Sequence, residues 1–108
     1  MRRTKTKKDA REKSWAEQRK KRGFDDRDTW SLDHTIAEFV EPRLKRFKEI
    51  CGCTPGSLTD DEWINILNKM IRAFELSAKG NWILSDKERK EMKEGLKLFA
   101  EWFDFLWW

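Results

Sequence analysis

The chain has 108 residues, 41% of them charged and 13% aromatic, with a formal net charge of +4. That length suits one domain, and so many aromatic groups argue against a disordered chain, which is charged but aromatic-poor. No stretch approaches the roughly 18 apolar residues of a membrane span.

Charge is unevenly placed. Residues 1–22 hold 11 Lys/Arg against 3 Asp/Glu, a net +8, whereas residues 23–108 hold 13 against 17, a net −4. The first 22 residues therefore read as a basic, flexible arm that can become helical from about Asp9 to Arg22, and residues 23–108 as a helical domain. No apolar run follows the basic N-terminus, so it does not read as a secretory signal. Cys51 and Cys53 flank a single glycine, a spacing that strains a disulfide, and one pair is no framework. Both thiols are expected free, in a reducing cytoplasm.

Residues 23–31 form a turn-rich lead-in, with Asp28 or Ser31 available to cap the next helix. From Leu32 the apolar residues Leu32, Ile36, Phe39, Val40, Leu44, Phe47 and Ile50 recur at gaps of three and four, which predicts one helical face. Pro42 falls inside that pattern and predicts a kink or a break there. Gly52 to Leu58 reads as a loop. Thr59 with Glu62, and Ser85 with Glu88, are capping boxes that open two further helices. The first carries Trp63, Ile66, Leu67, Met70, Ile71 and Phe74, and Trp63 reads as core. The second carries Met92, Leu96, Phe99, Phe103 and Leu106. The expected fold is all-α: a compact antiparallel bundle of three to four helices.

Catalytic sets are missing their parts. His34 is the single histidine, and no nucleophile or second metal-binding histidine accompanies it. The Asp25–Asp28 cluster lacks the spacing of a calcium loop. No enzyme activity, metal or cofactor is expected. Two features suggest binding instead. Arg43, Arg46, Lys69 and Arg72 on helix faces, with Trp30 nearby in sequence, have the chemistry to hold phosphates and stack a base. The tail, with Trp102, Phe105, Trp107 and Trp108, surrounds its final turn with apolar groups, which predicts a subunit interface.

Several of these segments together resemble a widespread group of small phage proteins of unassigned function. They are Asp28-Thr-Trp-Ser-Leu-Asp33, Ile36 to Lys48, Glu62-Trp63, Ile66 to Ile71, Ala73-Phe74, and Glu94 to Ala100 with the Leu106-Trp107 ending. The resemblance covers about residues 22–108. It implies a phage or prophage source and action in the host cytoplasm. The expected function is that of a homo-oligomeric counter-defence protein sequestering a nucleotide-type signalling molecule. The alternatives are an inhibitor or adaptor of a host or phage protein, and nucleic-acid contact through residues 1–22.

Overall fold

Both capping boxes form, and they place two helix starts. Thr59 accepts from the Glu62 N–H at 3.2 Å while Glu62 accepts from the Thr59 N–H at 2.9 Å. Ser85 and Glu88 repeat the arrangement at 3.2 and 3.1 Å. Each box satisfies two backbone donors that a helix start otherwise leaves open. These bonds hold the carboxyls of Glu62 and Glu88 below the usual carboxylate range.

The computed structural model describes residues 7–108. Its helices are α1 (Lys7–Arg22), α2 (Leu32–Ile50), α3 (Asp60–Lys79) and α4 (Asp86–Glu101). Single 3-10 turns occupy Asp26–Thr29, Asn81–Ile83 and Phe103–Phe105, and no strand occurs among the described residues. The all-α expectation holds. The chain divides into two compact units, one ending at Leu32 and the other spanning Asp33–Trp108.

The first unit is α1 with the turn that follows. The composition boundary at residue 22 does not coincide with the structural one. Residues 7–22 of the expected flexible arm form a regular helix, and the first six residues lie outside the described part. Gly23, at φ 82°, ends the helix in a conformation that side chains disfavour. The chain then turns back, and Asp25 bonds to Arg19 on α1.

The second unit is built around α3, which buries Trp63, Leu67, Met70, Ile71, Ala73, Phe74 and Leu76. On one side α2 runs antiparallel to it, with Lys48 donating to Asn68 at 2.8 Å and Lys45 lying 3.8 Å from Glu75. Pro42 neither breaks nor splits α2, which is helical from Leu32 to Ile50. The proline removes one backbone donor. Ala37 and Val40 before it, and Leu44 and Phe47 after it, pack into the same core, so tertiary packing holds both halves. Burying each large side chain stabilises by about 1.5–3 kcal/mol, enough to offset one missing hydrogen bond of about 1 kcal/mol.

On the other side, α4 is antiparallel to α3. Lys69 pairs with Glu94 at 2.8 Å and Arg72 with Glu91 at 3.2 Å. These pairs are half exposed and contribute little stability. The close packing comes from Gly95, which is buried. A Cβ built there would meet the Lys69 carbonyl oxygen and lie 2.5 Å from the Ala73 Cβ. Only the absence of a side chain lets the two backbones approach so closely.

Gly95→Ala is therefore expected to destabilise the protein by about 1–3 kcal/mol, although alanine is the better helix former by about 1 kcal/mol. Urea unfolding would show it as a lower midpoint. An unchanged or raised midpoint would mean that the helices separate without penalty.

Candidate binding surface

Two chains of aromatic contacts run outward from α3. Trp63, 3% exposed, meets Trp102 edge-on at 6.0 Å, and Trp102 meets Phe105 at 5.3 Å. Phe74, also buried, meets Phe99 at 4.9 Å, and Phe99 meets Phe103 at 5.6 Å. Both chains end in the 3-10 turn at Phe103–Phe105. Beyond it Trp107 and Trp108 are each 69% exposed. The last α-helical residue is Glu101, so the tail does not continue the α4 helix.

This geometry divides the expected interface residues. Trp102 is half-buried and packs against its own core. Phe105 is anchored on one side and open on the other. Together with Trp107 and the Cys53–Gly56 segment it lines a cavity of about 230 Å³. Phe103 reads in the sequence as a core position of the last helix, yet it is exposed. The helical spacing stops applying two residues before it, where α4 gives way to a tighter turn. Ile36 and Phe39 share the spacing of the buried face of α2, yet both are exposed. The α2 apolar face is wider than α3 covers, and the Arg43 guanidinium lies 3.8 Å over the Phe39 ring at its open edge.

Of the five residues expected to bind phosphate and base, the four cations belong to the second unit. Trp30 belongs to the first unit. On α2, Arg43 donates to the Phe39 carbonyl at 2.9 Å and Arg46 pairs with Glu49 at 2.9 Å. Lys69 and Arg72 do share a cavity of about 380 Å³, but Glu91 and Glu94 line it with them and hold their charges. Arg46, Lys69 and Arg72 are each matched by a carboxylate that an incoming phosphate would have to displace, whereas Arg43 is not.

Of the remaining candidates, His34 Nε2 sits 2.5 Å from Glu38 on the exposed side of α2. Cys51 Sγ lies 3.3 Å from the Cys53 carbonyl oxygen, and both thiols are free. The buried Trp63 indole N–H has no acceptor. Trp63 lines a cavity of about 220 Å³ with Lys48, Thr54 and Asp60, which is room enough for a water to satisfy a buried donor. No helix among the described residues is long and apolar enough to cross a membrane.

The acidic cluster of the first unit is an arginine clasp. Buried Asp25 accepts from Arg27 at 2.9 and 3.1 Å and from Arg19 at 2.5 Å. Its side chain also caps the 3-10 turn, and Asp28 completes that box. Asp26 accepts from Arg22 at 2.7 Å and Gln18 at 2.9 Å. The Arg27 guanidinium, with Arg19 behind it, holds the Asp25 carboxyl far below the usual carboxylate range. Arg22 lowers that of Asp26 in the same way.

Comparison with protein-family models, with curated proteins and with solved structures finds no match to this chain.

Because the folded pKa of Asp25 lies below its unfolded value, its stabilising contribution is complete above about pH 4 and is lost as pH falls further. Asp25→Asn is expected to speed amide exchange in α1 several-fold at neutral pH while α3 is unaffected. Equal protection of α1 in both proteins would show that the clasp does not hold the unit together.

Proposed function

We propose that this protein acts by binding, as a homo-oligomer whose subunits meet through the aromatic C-terminal end. One observation carries the reading. Phe103, Phe105, Trp107 and Trp108 are 59, 45, 69 and 69% exposed within six residues that hold a single charge, Asp104. An exposed concentration of large aromatic groups is the composition of an interface centre, and homodimer contacts are the more apolar class. The anchoring of Phe103 on Phe99, and of Phe105 on Trp102, presents these rings in fixed positions, so little side-chain entropy is lost when a partner covers them.

The resemblance to small phage proteins supports an accessory role in a phage-infected host cytoplasm. Sequestration of a nucleotide-type signal is compatible with this reading only at a boundary between subunits, since Lys69 and Arg72 are already matched by acids within one chain. The same aromatic end also suits an inhibitor or adaptor that docks on a host or phage protein, and the exposed Ile36 and Phe39 add apolar surface for such a partner.

Light scattering during size-exclusion chromatography tests the oligomer. The protein is expected to elute as a multiple of its 13.1 kDa mass. The double variant Trp107→Ala/Trp108→Ala is expected to elute as a monomer with unchanged helical content. A wild-type protein that stays monomeric at high micromolar concentration would rule out self-association and leave the partner-protein reading.

A further inference from the structure

The first unit carries a second surface, of different chemistry. Helix α1 has eight Lys/Arg and three Asp/Glu in 16 residues and buries none of them. Arg19 and Arg22 are committed to Asp25 and Asp26. Arg11 lies 5.7 Å from the Trp15 ring. Lys7, Lys8, Lys13, Lys20 and Lys21 have no carboxylate partner among the described residues, although Glu12 and Glu17 stand at helical spacing from Lys8 and Lys13. At 3.6 residues per turn Lys8 and Arg11 fall on the side of α1 that carries Trp15, whereas Lys13, Lys20 and Lys21 fall on the far side.

Beside this helix stands a presented aromatic ring. Trp30 meets Trp15 edge-on at 5.8 Å, with 80° between the rings. The Arg27 guanidinium lies 4.3 Å from the Trp15 ring, and Arg27 is itself fixed by Asp25. The Asp25 clasp thus holds Trp30 against the middle of α1, while 67% of Trp30 remains exposed.

We propose that α1 and Trp30 form a binding site for single-stranded nucleic acid. Lys8 and Arg11 contact phosphates on the side of α1 that carries Trp15, and Trp30 stacks on a base. Cations tracking a backbone beside an exposed ring are the two parts of such a site. A lipid surface fits less well, because an interfacial helix needs an apolar face. Here the apolar residues of α1 are Ala10, Trp15 and Ala16, and Trp15 is taken up by Trp30 and Arg27. A duplex would use the lysines but leave Trp30 with no unpaired base to stack on. This inference is independent of the aromatic C-terminal end.

Fluorescence anisotropy of the full chain with labelled oligothymidine and oligouridine tests it, with a duplex of equal length and phosphatidylserine vesicles in parallel. Single strands are expected to bind best, with affinity falling steeply as salt rises. Lys8→Gln/Arg11→Gln is expected to weaken binding and flatten the log–log salt dependence by about 1.4, at about 0.7 per phosphate contact. Neither residue is paired with a carboxylate among the described residues, so the variant keeps the fold. Trp30→Ala is expected to weaken binding roughly tenfold without changing the salt slope. Duplex bound as tightly as single strand with no effect of Trp30→Ala, binding to vesicles alone, or no binding to any oligonucleotide at low salt would each overturn the proposal.

Discussion

At the crossing of α3 and α4, a missing side chain sets the spacing of the core. Gly95 lets the α4 backbone reach the Lys69 carbonyl and the Ala73 methyl group. At that separation Lys69 reaches Glu94 and Arg72 reaches Glu91. Phe99 and Trp102, one and two turns further along α4, reach the buried Phe74 and Trp63. Any residue with a side chain at position 95 would push the helices apart and loosen all of these contacts together. The outward aromatic chains to Phe103 and Phe105 begin from the same pair of rings. The position of the exposed tail is therefore a consequence of a contact near the middle of α4.

The other side of α3 is held differently. Here α2 packs through side-chain bulk, with Leu44, Val40 and Phe47 filling the space. That packing is broad enough to carry a proline without interrupting the helix. It does not cover the whole apolar face of α2, and Ile36 and Phe39 remain outside.

Two surfaces result, with opposite chemistry. The C-terminal end is aromatic and nearly uncharged, which suits burial against another protein surface. Helix α1 is cationic throughout and has no apolar face, which suits a polyanion. The basic residues on α2 and α3 are largely paired with acids and act as solvated helix faces. Cations that look alike in composition differ in availability, because a carboxylate one turn away or on the adjacent helix neutralises some and not others.

The helices, their capping boxes and the core role of Trp63 were legible in the sequence, because spacing of three and four and the Thr-x-x-Glu and Ser-x-x-Glu patterns act within a few residues. The order of α1 was not legible. It depends on Asp25 and Trp30 folding back from beyond a glycine, and no local pattern records that return. Nor did periodicity show that Phe103 turns outward, since the α-helix ends before it, or that Lys69 and Arg72 are neutralised, since their partners lie about 20 residues away on α4. The sequence by itself determined which segments beyond residue 31 are helical. Only the tertiary structure decided which aromatic rings stay exposed and which cations stay unpaired, because both depend on what another element brings within a few ångströms.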